Sequence, residues 1–154
     1  MQEVNIFIDV AHTGNLKTGT GTYGIVLEYL KKNGIPVTRE IYKGLNKTTK
    51  NRTALISCIE SLSKLKRACI VDMFINNTYI VNTITQQWYF KWNFEDWTNR
   101  GKTIPNKELW QQLFKLLEIH KVKFHYKKIN GYTSYIKTMI RTLDLEFKED
   151  EGNV

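Results

Sequence analysis

The sequence predicts one α/β domain with a mixed sheet, and three observations predict that class. Residues 4–42 contain three short apolar segments separated by glycine-bearing turns, which is typical of consecutive antiparallel strands. Beyond residue 48 the apolar spacing becomes helical, and the helical segments alternate with two further strands. The length of 154 residues fits one core of two or three layers and is too short for two domains.

The three N-terminal segments are predicted strands. Residues 4–9 alternate apolar and polar side chains and end at an aspartate, as a strand entering a core does. Residues 25–30 form the second apolar run, and residues 36–42 alternate again after an Asn-Gly turn. The first connection is a wide turn with the glycines Gly14, Gly19, Gly21 and Gly24. Short connections between successive strands predict an antiparallel meander.

The first helix is predicted after Thr48-Thr49, because threonine hydroxyls can accept from the free amides of a helix start. Its apolar stripe consists of Leu55, Ile59, Leu62 and Leu65. A compact apolar strand follows at residues 68–75. Asn76 or Asn77 can then cap a second helix that ends near Trp88.

The second half of the chain continues the alternation. Residues 88–105 are aromatic and polar, and their pattern assigns no element. Pro105-Asn106 begins another helix, since proline is favoured in a first turn. Residues 122–126 form a fifth strand, and Thr133 or Ser134 caps the last helix. Strands joined by helical crossovers predict a mixed sheet with helices packed on it.

The net charge of +8 is distributed unevenly. Residues 144–154 hold five acids and one base, which leaves 22 bases against 10 acids and a charge of +12 in residues 1–143. A basic body of this kind is a candidate for binding a polyanion, and a lysine-rich solvated surface is the alternative. We therefore expect a domain at residues 1–148 and an acidic tail at residues 149–154.

The composition also restricts the compartment and the chemistry. Only two cysteines, Cys58 and Cys69, occur, which argues against a disulfide scaffold and favours a reducing, cytoplasmic location. No apolar run approaches the roughly 18–20 residues of a membrane span, and the N-terminus does not resemble a signal peptide. The three histidines have neither metal-binding spacing nor acids near them in the sequence.

Five short motifs resemble those of one enzyme family. They are Ile-Phe-Ile-Asp at residues 6–9, Thr-Thr-Lys-Asn-Arg at 48–52, Asn-Thr-Tyr-Ile at 77–80, Asn-Lys-Glu-Leu-Trp at 106–110 and Val-Lys-Phe at 122–124. Together with the element order, these motifs resemble ribonuclease H of type 1. The resemblance implies a ribonuclease H-like fold, with a five-stranded mixed sheet of three antiparallel and then two parallel strands, flanked by helices.

The same resemblance implies a metal-dependent nuclease with a carboxylate cluster. Members of the family cut the RNA strand of an RNA–DNA hybrid with two Mg²⁺ ions, and clustered anionic ligands must offset the repulsion between those ions. Asp9 matches the first carboxylate, but Ala54 and Asn76 stand at the second and third positions. The fourth position falls near Met139 or Ile140. Most of the catalytic carboxylates are therefore expected to be missing.

Other acids are poor substitutes. Asp72 lies four residues before Asn76 on the same strand, about 13 Å away at the usual strand rise. Glu60 lies nearly two helical turns beyond Ala54. We expect both to be surface or capping acids. No metal site is predicted, and Mg²⁺ or Mn²⁺ would act only if an altered site around Asp9 were active.

Several residues at the same end of the fold are candidates for contacts with nucleic acid. In the family, the residues matching Asn15 and Asn51 contact sugar hydroxyls, and the residue matching Thr49 belongs to a phosphate pocket. Lys50 and Arg52 add positive charge nearby. Asn76 completes the candidate set. Helix capping explains Thr49 and Asn51 equally well, so both interpretations stay open.

An aromatic and basic stretch occupies the place of the family's duplex-binding protrusion. Within it, Trp97, Arg100 and Lys102 are the candidate nucleic-acid contacts. Glu95 and Asp96 interrupt its basic character. Aromatic side chains at this density can stack on bases, pack into a core or form a protein interface. We expect Trp97 to be exposed.

Three functions remain as hypotheses. The preferred one is a binding protein for RNA–DNA hybrid or double-stranded RNA in which hydrolysis has been lost. The alternative is a protein-interaction scaffold or regulatory protein, of phage or mobile-element origin, with exposed Phe94 and Trp97 as its motivation. The third is an active nuclease with an altered metal site centred on Asp9.

Overall fold

The architecture is taken from a computed structural model, which describes the backbone of residues 1–152 and the side chains of residues 1–143. Seven strands and five helices follow one another along this part of the chain. They are β1 (Gln2–Thr13), β2 (Gly19–Tyr29), β3 (Val37–Thr48), α1 (Lys50–Ser63), β4 (Cys69–Ile75), α2 (Thr78–Thr85), α3 (Trp88–Phe94), β5 (Thr98–Asn99), β6 (Lys102–Thr103), α4 (Lys107–Ile119), β7 (Lys121–Tyr126) and α5 (Thr133–Gly152).

The central sheet has five strands in the order β3-β2-β1-β4-β7. The pairs β1–β2 and β2–β3 are antiparallel, and the pairs β1–β4 and β4–β7 are parallel. Each parallel connection passes through helices, because strands that run the same way need a long crossover. The predicted mixed sheet, with three antiparallel strands followed by two parallel ones, is confirmed.

The two faces of the sheet bury different sets of side chains. Alternate residues of β1 are buried in the main core with apolar residues of α1 and α4; from β1 these are Val4, Ile6, Ile8 and Val10. The opposite face carries a smaller cluster in which Val26 of β2 packs with Ile136 and Ile140 of α5. Because side chains alternate along a strand, Asp9 lies on this second face, under α5.

The segment at residues 88–105 differs from the prediction. The helix expected to reach Trp88 ends at Thr85, since Gln87 takes a left-handed backbone conformation with φ 57°. A short helix, α3, then precedes a two-stranded hairpin. The two residues at the tip of that hairpin, Arg100 and Gly101, both have positive φ, as a tight type I′ turn requires.

The C-terminal helix bears on the predicted domain limits. The backbone of α5 continues to Gly152, so it passes the predicted boundary at residue 148 without a break in the helix. The acidic side chains of residues 149–154 lie outside the described residues, and the domain and tail assignment stays a prediction.

Both cysteines are buried free thiols. Among the described helices, none combines the length and apolar character needed to cross a bilayer.

Candidate nucleic-acid interface

Asp9 lies near the carboxyl end of β1, opposite Gly24 of β2. Its side chain is 1% exposed, and neither carboxylate oxygen has a hydrogen-bond partner among the described side chains. Burial disfavours the charged form, so it raises the pKa of this carboxyl group from 3.8 to about 6, and the positive charge of Lys137 opposes that rise. Asp9 is therefore a buried acid whose pKa is lowered in part by a cation of α5.

The close approach of α5 to β2 brings the charge of Lys137 near this site. A Cβ on Gly24 would lie 2.6 Å from Cγ2 of Ile136, so only glycine permits the helix to pack so closely on β2. Lys137 follows Ile136 directly and is exposed. The resemblance places the fourth acid position near Met139 or Ile140, and that assignment stays a prediction; Ile140 is buried in the cluster with Val26. The sequence pattern gives no signal that Lys137 lies near Asp9.

Asn76 is held by the backbone of the neighbouring strand. Its Oδ1 accepts a hydrogen bond from the Val10 amide at 2.9 Å, and its Nδ2 donates to the Val10 carbonyl at 3.3 Å. The backbone pairing of β1 with β4 ends just before, at Ile8 and Ile75. The carboxamide therefore extends the pairing by one residue with its own donor and acceptor.

The position that the family fills with its second carboxylate offers no ligand here. Ala54 is fully buried in α1, and its methyl group belongs to the main core. Within the residues whose side chains are described, no group of three or more His, Cys, Asp or Glu residues is arranged to hold a metal ion. With one carboxylate and the positive charge of Lys137 close enough to lower its pKa, this environment does not fit a two-metal centre.

A polar cavity of about 200 Å³ lies beside Asn76 at this end of the sheet. It brings together three predicted contact residues, Lys50, Asn51 and Asn76. Asn77 also lines it and donates from Nδ2 to Oδ1 of Asn51 at 3.2 Å. The sequence predicts Asn77 only as a helix cap, a role that it also fills by accepting from the Ile80 amide.

Thr49 and Arg52 are engaged within the protein. The Thr49 hydroxyl accepts from the Arg52 amide at 3.0 Å, which confirms the capping interpretation. The Arg52 guanidinium donates to Glu108 at 2.7 Å and to Asn106 at 3.1 Å. This exposed pair lowers the pKa of the Glu108 carboxyl group through the hydrogen bond from the guanidinium. Arg52 therefore links α1 to the start of α4.

Asn15 lies in the loop between β1 and β2. Its side-chain oxygen accepts from the backbone amides of Lys17 at 2.9 Å and Thr18 at 3.3 Å, which forms an Asx-type turn. Asn15 is exposed. The structure thus gives it a local role in the loop, and its contact with a sugar hydroxyl stays a prediction.

The aromatic segment is partly core and partly surface. Trp97 is only 6% exposed and packs against Tyr89, Trp92 and Phe114, so the expectation that it is exposed is wrong. Its apolar ring closes a cluster over α4, which its polar neighbours in sequence did not indicate. Phe94, by contrast, is 92% exposed.

The hairpin cations are free of the core, and the two acids Asp72 and Glu60 are bonded to other residues. Arg100 and Lys102 are exposed on the small hairpin. Oδ1 of Asp72 accepts a hydrogen bond from Nε2 of His125 at 2.8 Å, so the expectation of histidines without neighbouring acids is wrong for His125. Glu60 bonds to Lys43 and to the hydroxyl of Tyr23. Neither acid approaches Asp9.

The five-stranded sheet, its crossover helices and the lone aspartate at the end of β1 define a ribonuclease H-like α/β protein. A sequence model described as RNase H matches residues 1–136, and the chain belongs to that family. A protein named Ribonuclease H from Chlorobium chlorochromatii is 37% identical over 133 residues, which cover 86% of this chain and 85% of the relative.

Two solved structures show the same fold. One is LC9-RNase H1, described as a type 1 RNase H with the type 2 active-site motif. Its TM-score is 0.78, and the two sequences are 24% identical over a match that covers 90% of this chain and 70% of that chain. The other is LC11-RNase H1, solved in complex with RNA/DNA hybrid, with a TM-score of 0.56 and 19% identity over 80% of this chain and 84% of that chain.

Proposed function

We propose that this member of the RNase H family binds RNA–DNA hybrid or double-stranded RNA and does not hydrolyse it through a two-metal centre. The observation that carries the proposal is the contrast at one end of the sheet. A polar cavity with a lysine and three asparagines is present, while the second and third acid positions hold Ala54 and Asn76 and the charge of Lys137 acts on Asp9.

The cavity has the chemistry for contacts with a sugar–phosphate backbone. Carboxamides both donate and accept, so Asn51 and Asn77 suit a 2′-hydroxyl, which also does both. Lys50 supplies a cation for a phosphate beside them. The net charge of +12 on residues 1–143 favours a polyanion in general. The family and the hybrid complex of LC11-RNase H1 support hybrid as the duplex.

Electrostatic repulsion opposes the binding of two metal ions around Asp9. Two divalent cations held close together repel one another, and a single carboxylate cannot offset that repulsion. An alanine supplies no ligand, and the Asn76 carboxamide is already bonded to Val10 through both of its polar atoms. The Lys137 ammonium adds a further positive charge, close enough to lower the pKa of Asp9.

Binding is tested by fluorescence anisotropy with labelled hybrid, double-stranded RNA and double-stranded DNA over a series of salt concentrations. We expect hybrid or double-stranded RNA to bind more tightly than DNA, with affinity that falls steeply as salt rises. The pair Lys50→Ala and Asn51→Ala should weaken binding, and the matched pair Lys32→Ala and Asn93→Ala should not. Absence of binding to any duplex at low salt would refute the proposal.

Hydrolysis is tested separately with the same hybrid. Wild type and Asp9→Asn are incubated with Mg²⁺ or Mn²⁺, and the products are separated by length. We expect both proteins to leave the hybrid intact. Metal-dependent cleavage by wild type that disappears in Asp9→Asn would instead establish an active nuclease with an altered site.

A further inference from the structure

A second basic surface lies at the opposite end of α1 from the candidate interface. An open cleft of about 420 Å³ is formed where β1 and β4 begin, β2 ends, β3 begins and α1 has just ended. The 14 residues of α1 separate this cleft from Thr49, about 20 Å at the usual helical rise. The cleft is therefore distinct from the cavity beside Asn76.

The lining of the cleft is strongly cationic. Five of its side chains carry a positive charge, and none of the described residues that line it has a carboxylate. These cations are Lys31, Arg39, Lys64, Lys66 and Arg67. Among the described side chains, none of the five forms an ion pair. The nearest acid along α1, Glu60, is bound by Lys43 and the Tyr23 hydroxyl.

Favourable placement at a helix end explains only part of this cluster. Cations stabilise the carboxyl end of a helix, which accounts for Lys64 and its successors after α1. Lys31 and Arg39 come from the connection between β2 and β3 and from β3 itself. Their convergence with the α1 cations on one cleft costs electrostatic repulsion, which a bound anion relieves.

The cleft also has a flat aromatic surface. The half-buried ring of Tyr29 lies in it, with the Lys31 ammonium 5.8 Å from the ring centroid. Lys31 otherwise contacts the side-chain oxygen of Gln2 at 3.4 Å. A tyrosine ring can stack on a nucleobase. The guanidinium groups of Arg39 and Arg67 match the geometry of phosphate oxygens.

We propose that this cleft binds a phosphorylated nucleotide, with the base against Tyr29 and the phosphates among the five cations. Its volume lies in the range of small-molecule pockets. The nucleotide is either free or the 5′-phosphorylated end of a strand, since both present the same chemistry. The proposal does not depend on the function assigned to the Asp9 end of the sheet.

The first experiment measures the binding of ATP by isothermal titration calorimetry. Loss of two charge-assisted hydrogen bonds in the double variant Lys64→Ala and Arg67→Ala should weaken ATP binding about tenfold or more. The double variant Lys32→Ala and Lys115→Ala removes the same charge from exposed lysines outside the cleft and should change binding less than about twofold. If both variants weaken ATP binding equally, the binding results from general charge attraction and not from the cleft, and the proposal is overturned.

The second experiment separates the two sources and locates the ligand. If the ligand is a strand end, a short single-stranded oligonucleotide with a 5′-phosphate should bind more tightly than its 5′-hydroxyl form, and the cleft variant should abolish the difference. If it is free, ATP should perturb the amide signals of Arg67 and Cys69 and leave those of Asn51 and Asn77 unchanged. Tyr29→Leu should reduce the preference for ATP over inorganic triphosphate. No binding of any of these probes at low salt would overturn the proposal.

Discussion

Asn76 pairs with Val10 through both atoms of its carboxamide, accepting from the Val10 amide at 2.9 Å and donating to the Val10 carbonyl at 3.3 Å. A carboxylate at this position would keep the first hydrogen bond and lose the second, because it has no N–H to donate. It would also place a negative charge against the Val10 carbonyl oxygen. The position is therefore adapted to an amide in this chain.

The first prediction follows from that pairing. Asn76→Asp should lower the free energy of unfolding by about 1–3 kcal/mol, the usual effect of leaving a buried partner without its hydrogen bond. The measurement is urea unfolding at neutral pH. Asn93→Asp, the same change on an exposed asparagine, should shift stability by less than about 0.5 kcal/mol. Equal effects of the two substitutions would contradict the role of the Val10 contact.

The second prediction concerns the pH dependence of stability. The pKa of Asp9 is raised by burial from 3.8 to about 6, so the folded protein binds more protons than the unfolded chain between these values. The contribution of Asp9 is therefore favourable below about pH 4 and is lost as the pH rises through about 6. Asp9→Asn should make the protein more stable than wild type at pH 7.5, by about 1–3 kcal/mol.

Unfolding by urea at pH 4, 5.5 and 7.5 tests this difference. Only the gap between Asp9→Asn and wild type matters, because other groups titrate equally in both proteins. The gap should be largest at pH 7.5 and should close toward pH 4. A gap that is independent of pH would show that the buried charge of Asp9 is not its source.

The third prediction isolates Lys137. Removal of its ammonium group in Lys137→Ala should raise the pKa of Asp9 above the wild-type value, because Lys137 favours the charged form of the carboxyl group. The direct readout is the carboxyl carbon shift of Asp9 followed by NMR over pH. Lys115→Ala, on the exposed side of α4, should leave the titration unchanged. An unchanged Asp9 pKa in Lys137→Ala would place the ammonium too far away to matter.

The order of strands and helices along the chain and the starts of the first two helices could be predicted because they depend on local signals. Alternation defined β1, and Thr49 and Asn77 accept from the amides of Arg52 and Ile80 as capping residues do. The end of the second helix could not be predicted, because Gln87 adopts positive φ without being a glycine. Glutamine seldom adopts this conformation, so the local sequence gives no signal for it.

The candidate site depended more on tertiary geometry. The register of β4 with β7 places Phe74 opposite His125, so His125 lies diagonally from Asp72 and meets its carboxylate. Sequence separation gave no sign of this contact. The place of Lys137 could not be predicted for a similar reason, since the close approach of α5 depends on Gly24 of β2, which is distant in sequence. The exposure of Trp97 was predicted wrongly because its ring packs against Phe114 of α4, a contact that its neighbours in sequence do not indicate.

The last prediction concerns a variant in which acids are introduced around Asp9. If the missing carboxylates are what prevents metal binding, the triple variant Ala54→Glu, Asn76→Asp and Lys137→Asp should bind Mn²⁺, because it replaces a cation and two neutral groups with three anionic ligands. Without metal this variant should be less stable than wild type, since four carboxylates then repel one another.

Thermal unfolding with and without Mn²⁺ measures the effect. Mn²⁺ should raise the midpoint of the triple variant far more than that of wild type, because a ligand that binds only the folded state stabilises it. The quadruple variant that adds Asp9→Asn should lose most of this gain, which ties the bound metal to Asp9. A midpoint shift of the same size in wild type and in the triple variant would mean that Asp9 and its present neighbours already hold the metal, and the proposed loss of the two-metal centre would then be wrong.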